Sequence, residues 1–225
     1  MRGILERIKN GEVLIGDGAT GTMLMEKNLL HVGECPEKLN LSHASALEEL
    51  ARLYVEAGAD LVETNTFGAS PLKLAAYGLE EQTEEINREG VIAVKRAVGD
   101  RAFVSASCGP TGKILQPFGD TEPDLVFKSF ERQMRALLQE SADVVCIETM
   151  LDLEEISLAI RAARAVSPTV PVIATMTFDM TPRGFFTMMG VSVEKACKRL
   201  EKEGANIIGS NCGNGIDNMI KIAAE

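Results

Sequence analysis

The sequence predicts an α/β fold, a (β/α)8 barrel truncated to about six β/α units and forming one domain over 1–225. Three observations predict it. Short apolar runs alternate with longer amphipathic stretches from end to end. The runs at 13–18, 61–66, 103–108, 144–149, 172–177 and 206–213 each end in small, polar or acidic residues. Chemistry collected at the C-terminal ends of successive strands is the habit of a parallel barrel. Small residues also precede strands, in Gly58-Ala59, Ser141-Ala142 and Gly204-Ala205, where they allow the left-handed cap that turns a helix into the next strand.

The elements follow in order. Strand 13–17 leads through a Gly-rich turn into a helix over 20–26. A polar loop with Cys35-Pro36-Glu37 precedes a helix over 44–57, whose Leu47, Leu50, Ala51, Tyr54 and Val55 form one apolar stripe. Gly58-Ala59-Asp60 ends it and delivers the second strand. The unit then repeats as helix 82–98 before strand 102–107, helix 124–141 before strand 143–148, helix 153–166 before strand 171–177, and helix 192–203 before strand 206–211. A last helix is expected over 217–224. Continuous apolar strands between helices imply a parallel sheet buried on both faces.

A closed barrel needs eight such units and roughly 250 residues, so the C-terminal units are missing from this reading. An opened barrel has two strand edges and apolar flanks, which predicts poor solubility or self-association. The competing architecture is an open doubly wound sheet, which also binds ligands at strand C-termini. Against it, no Gly-x-Gly-x-x-Gly follows the first strand and no phosphate-loop Lys is present.

Composition narrows the function classes. Hydrophobic residues make up 45% and charged residues 25%, ordinary for a globular domain, and the net charge is −10. That acidity, without any Lys or Arg run, argues against nucleic-acid partners. No apolar stretch is long enough to span a membrane, and residues 1–8 are too charged for a secretory signal. Five widely spaced cysteines make no disulfide framework and point to the reducing cytoplasm.

Several strand ends carry candidate chemistry. Gly16-Asp17-Gly18-Ala19-Thr20-Gly21-Thr22 offers backbone that a ligand can approach closely and, in Asp17, an acceptor for an ammonium group; a tight βα turn with a capping acid is the competing reading. Glu148 and Thr149 end an apolar strand, and an acid at such depth is costly unless it serves a partner. Glu63 ends the second strand similarly, where a salt bridge explains it equally well. Asn65 and Thr66 offer an amide and a hydroxyl, or simply fix their loop.

Cys212 ends the sixth strand, where a thiolate can be a nucleophile or a soft-metal ligand. Cys146 and Cys197 read as small buried hydrophobes, Cys108 as a packing residue, and Cys35 as an incidental loop thiol. His31 and His43 have no metal-ligand spacing and read as surface or capping residues.

Six motifs then fall in register: 16–22, Cys35-Pro36-Glu37-Lys38-Leu39-Asn40, Ala57-Gly58-Ala59-Asp60 with Thr64-Asn65-Thr66-Phe67-Gly68, Ser107-Cys108-Gly109-Pro110, Ile147-Glu148-Thr149-Met150 and Gly209-Ser210-Asn211-Cys212. Together they resemble the homocysteine S-methyltransferase family, most nearly the homocysteine-binding domain of cobalamin-dependent methionine synthase. The resemblance covers essentially the whole chain. It implies a TIM barrel that binds one zinc ion through three cysteines, zinc-bound homocysteine thiolate attacking a donor methyl group, and methionine as product. Zinc suits that chemistry, because a Lewis acid lowers the pKa of a thiol otherwise mostly protonated near neutral pH.

Residue by residue, the resemblance assigns Cys212 to zinc, Asp17 and Glu148 to the substrate's ammonium group, and Gly18 and Ala19 to backbone approaching the homocysteine. Asn65 and Asn211 are assigned polar positions around the sulfur site. The family's other two zinc cysteines are an adjacent pair, and no Cys-Cys occurs here. The chain is therefore expected to be a fragment or a relative without the metal. The donor is open among methylcobalamin on a corrinoid domain or protein, a betaine, and a sulfonium such as S-methylmethionine. A metal-free amino-acid-binding barrel is the alternative of another class, and a barrel lyase with Glu148 as general base is a third.

Overall fold

The computed structural model describes residues 3–225. The first helix, α1 (Ile4–Lys9), was not foreseen from the sequence. Its Ile4 packs with Leu61, Phe103 and Val144, joined by Leu5, Leu14, Ile173 and Ile207. This cluster closes one end of the sheet's concave face.

The segment expected as strand 13–17 is reduced to a single parallel bridge, Gly16 with Leu61. Its backbone is nonetheless strand-like in its contacts. Ile15 O accepts from the N–H groups of Asp60 (2.7 Å) and Leu61 (3.1 Å), and Asp17 N–H donates to Leu61 O (3.0 Å). It has a neighbour on one side only, and Val13 is 84% exposed. One-sided pairing is why it falls short of a strand.

The turn after it enters α2 (Thr20–Glu26), followed by the short α3 (Leu39–Ser42) and by α4 (Ala44–Glu56). Then come β1 (Leu61–Glu63), α5 (Pro71–Leu74), α6 (Thr83–Val98), β2 (Phe103–Cys108), α7 (Pro123–Gln139), β3 (Val144–Met150), α8 (Leu153–Val166) and β4 (Val172–Met176). An antiparallel hairpin, β5 (Asp179–Thr181) with β6 (Gly184–Phe186), is a second element the sequence reading lacked. The chain finishes with α9 (Val193–Glu203), β7 (Ile207–Ser210) and α10 (Ile216–Ala224). The long helices fall within about two residues of their expected bounds.

The main sheet is wholly parallel, in the order β1-β2-β3-β4-β7. Sequential order of parallel strands with a helix between each pair is barrel topology, not the reversed order of a doubly wound sheet. Val62, Val104, Ala106, Val145, Ile147, Val172 and Ala174 face the helices in the main core. Alternation therefore turns Glu63, Ser105, Ser107, Cys146, Glu148 and Thr175 inward. The fold delivers an apolar floor at one end of the lumen and polar groups toward the other.

Candidate active site

Three carboxyls from the 13–17 segment, β1 and β3, with β2 lying between the last two, meet in the lumen. Asp17 follows the first bridge, Glu63 ends β1 and Glu148 lies near the end of β3. Asp17 Oδ2 accepts the Glu63 backbone N–H at 3.0 Å. Glu148 Oε1 accepts from Ser107 Oγ at 2.5 Å, and its Oε2 from Asn211 Nδ2 at 3.1 Å. One side-chain oxygen or sulfur from each of Glu63, Cys146 and Glu148 lies within 4.8 Å of the others.

Crowding and burial hold protons on this group. Burial first, then the charges of Glu148 and Asp17, push Glu63 up to about 8. Asp17 rises to about 6, mainly by burial, against the pull of the backbone N–H it accepts. Glu148 is also raised by burial, opposed by its bonds from Ser107 and Glu63. Burial and the two glutamates lift the Cys146 thiol well above its ordinary value. No lysine, arginine or histidine is among the described residues lining the two cavities that contain Asp17 and Glu63.

The rim is built around Asn211. Its Nδ2 donates to Thr149 Oγ1 at 2.8 Å, and its Oδ1 accepts from Thr149 N–H and Thr175 Oγ, each at 2.9 Å. Cys212 Sγ stands 3.5 Å from both Thr149 Oγ1 and Asn211 Nδ2, on the exposed side. Thr149 (φ 60°) and Cys212 (φ 57°) both adopt left-handed backbone, rare for non-glycine residues and strained for a β-branched one. The rim thus fixes two residues in costly conformations beside the Glu148 carboxyl.

Asp17, Glu148, Asn211 and Cys212, expected from the sequence, lie together at this mouth. Gly18 lines the adjoining cavity of about 380 Å³ with Asp17, Glu63 and Ser105. Ala19 O accepts from Tyr54 Oη at 3.3 Å, and a Cβ on Gly18 would meet that hydroxyl at 2.9 Å. Asn65 lines the crevice that holds Asp17 and Glu63. Its Nδ2 donates to Pro36 O (2.8 Å) and Asn40 Oδ1 (2.9 Å), so both amide hydrogens brace the loop after β1.

Cys197, expected in the core, is exposed on α9, and Cys35, expected as an incidental loop thiol, is buried against Glu37. Ser107 and Thr175 were missed as site residues. Their inward register beside Glu148 and Asn211 was the available signal.

Zinc, the metal the resemblance implies, requires several thiolate or imidazole donors around one point. Cys212 presents one sulfur, and its neighbours are a hydroxyl and an amide rather than further thiolates or imidazoles. Cys108 is buried against Gln133 Oε1 (3.3 Å), while Cys35 and Cys197 sit elsewhere. The Glu63–Cys146–Glu148 cluster excludes Cys212 and holds its thiol protonated. This donor set does not make the tetrahedral thiolate site that the structural chemistry of zinc favours.

Comparisons with known proteins fit the barrel and its register. Methionine synthase of Mycobacterium leprae is 31% identical over 218 residues, covering 90% of this chain and 18% of that protein. Betaine–homocysteine S-methyltransferase 1 of Sus scrofa is 32% identical over 216 residues, covering 94% of this chain and 74% of that protein. The chain thus spans about a fifth of the methionine synthase it matches. The crystal structure of the homocysteine methyltransferase MmuM from Escherichia coli, metallated form, superposes with a TM-score of 0.80 over 96% of this chain and 80% of that one. At 18% identity this likeness speaks for the fold. The family model for homocysteine S-methyltransferase matches residues 14–225, and the chain belongs to that family.

Proposed function

We propose that the barrel mouth binds homocysteine by its ammonium group and presents the sulfur for methylation, giving methionine. The observation that carries this reading is the lumenal set of Asp17, Glu63 and Glu148, with no cationic side chain among the described residues lining the two cavities that contain Asp17 and Glu63. Buried carboxyls without a protein counter-charge are costly, and a ligand ammonium relieves that cost. Asp17 and Glu148 accept from the ammonium group, the Gly18 and Ala19 backbone borders the ligand, and Asn211 with Ser107 holds Glu148 in one orientation. Cys212 is the rim thiol at the sulfur end of the ligand.

In the transfer, a sulfur lone pair forms the new S–CH3 bond. The bond between donor and methyl breaks with its electrons left on the donor, and the thiol proton passes to solvent. The donor is a betaine, a sulfonium, or a methylcorrinoid held on another domain or protein. Five free cysteines and the absence of any membrane-length apolar helix among the described residues are compatible with work in the reducing cytoplasm.

Calorimetric titration with homocysteine and with methionine tests the reading. Saturable binding of both, weakened about tenfold or more by Glu148→Gln, is expected. Absence of binding to the folded chain, or full affinity in Glu148→Gln, overturns it. The second reading is an amino-acid-binding barrel without catalysis, in which Asp17 and Glu148 hold the ligand and nothing activates its sulfur. Methionine formation from homocysteine and a methyl donor, assayed with added zinc, separates the two.

A further inference from the structure

The function of Glu63 is unexplained by any role given so far to Asp17, Glu148, Asn211 or Cys212. Its carboxyl is surrounded by acids and weak acids. Asp17 lies on the segment bridged to β1, Cys146 and Glu148 lie on β3, and the neutral hydroxyl of Ser105 lies on β2. From the helix layer, Tyr54 of α4 shares its crevice. No cationic side chain among the described residues lines these cavities, so a ligand cation is the counter-charge that suits the pocket.

We infer that Glu63 is a positioning residue that holds a proton toward Glu148 in the free barrel and releases it when a substrate ammonium group enters. This rests on the proposed amino-acid reading and adds a proton-linked step to it. The geometry gives the reason. Glu148 is already engaged by Ser107 on one oxygen and Asn211 on the other, so it is preset as the acceptor. A neutral Glu63 donating to Glu148 avoids a third lumenal charge while the site is empty. A side-chain oxygen of Glu63 and one of Glu148 lie within 4.8 Å of each other, and the two donors already on Glu148 favour it as the charged partner.

An ammonium group arriving within about 4–6 Å lowers a carboxyl pKa by roughly 1–3 units. For Glu63, starting from about 8, that carries its titration to or below neutrality. Proton balance is simple: one carboxyl O–H breaks, the proton passes to buffer, and a cation takes its place. By linkage, the bound state holds fewer protons, so affinity rises with pH up to the free-state titration of Glu63. Asp17 contributes in the same direction at lower pH, since it rises only to about 6.

Methionine is the chosen probe, because it carries the ammonium group and lacks a thiol proton. Calorimetry at pH 7 in buffers of low and high ionisation enthalpy counts protons released per ligand. The expected count is roughly half to one, with affinity increasing several-fold between pH 6 and 7.5. In Glu63→Gln, which keeps a donor to Glu148, binding is expected to persist with proton release and pH dependence largely removed. Carbon-13 observation of the glutamate carboxyls in the unsubstituted chain serves as a second measurement. A carboxyl that titrates above pH 7 alone and moves down on saturation with methionine supports the inference without any variant.

Methionine binding without proton release, or release unchanged in Glu63→Gln, overturns the role of Glu63 and leaves the amino-acid site standing. Failure of both methionine and homocysteine to bind the folded chain overturns the site reading and this inference with it.

Discussion

A carboxyl whose pKa is raised by burial keeps its proton over a wider pH range when folded than when unfolded. Glu63 rises from 4.5 to about 8. The unfolded chain sheds that proton first, so the Glu63 contribution to stability falls progressively from about pH 4.5 and reaches its full cost above 8. Asp17 carries the same sign over a lower window, from 3.8 to about 6. Glu63→Gln is therefore expected to leave the melting temperature near pH 4.5 almost unchanged. At pH 8 it should stabilise the fold by an amount on the order of a few kcal/mol. Melts at the two pH values check this, and equal gains at both would assign the effect to packing. Asn211 behaves oppositely. Asn211→Ala strands the Thr149 N–H, the Thr175 hydroxyl and one Glu148 oxygen, so a loss of about 2–3 kcal/mol in denaturant unfolding is expected, together with weaker amino-acid binding.

Among the elements, the loop after β1 shows how a site is held from behind. Asn40 Nδ2 donates to Asn65 O (2.8 Å) and Ile86 O (2.9 Å), tying α3, the loop and α6 together. Helix α6 approaches that brace through Gly90, where a Cβ would lie 2.7 Å from both Asn40 Nδ2 and Thr66 Cγ2. Helix propensity alone favours Gly90→Ala by about 1 kcal/mol. Overpacking a buried contact costs about 1–3 kcal/mol, so net destabilisation is expected, read as a lower denaturant midpoint; a rise would mean that the brace yields freely. This loop also marks where the sequence stopped being legible. The long helices were readable because one apolar stripe repeats over three or more turns, as with Leu47, Leu50 and Ala51. The strand-end placement of Asp17, Glu148, Asn211 and Cys212 was readable because each ends an apolar run. The direction of the Asn65 amide depends on Pro36 and Asn40 across the loop, which periodicity does not encode. The hairpin β5–β6 and helix α1 are too short for a periodic signal, and the segment 13–17 lacks the second neighbour that would complete it as a strand.

For the whole molecule, the open sheet is the governing fact. Among the described residues β7 pairs only with β4, and the 13–16 segment only with β1. Val13 is 84% and Ile216 72% exposed. Beside the β7 edge runs a groove of about 450 Å³ lined by Phe178, Val193, Leu200, Ile208, Met219 and Ile222. Unpaired strand edges flanked by apolar surface favour pairing with further copies. A net charge of −10 opposes that association, but its reach shrinks to about 10 Å at 0.1 M salt, whereas apolar burial is not screened. Light scattering at micromolar concentration should therefore give a mass above one chain, with the associated fraction growing as salt rises. Placing lysines on the exposed edge, as Val13→Lys with Ile15→Lys, should shift the population toward single chains, because a strand edge bearing like charges resists pairing. A monodisperse single chain at every salt concentration, melting in one sharp transition, would show that the two edges are satisfied within the chain and that the open sheet does not drive association.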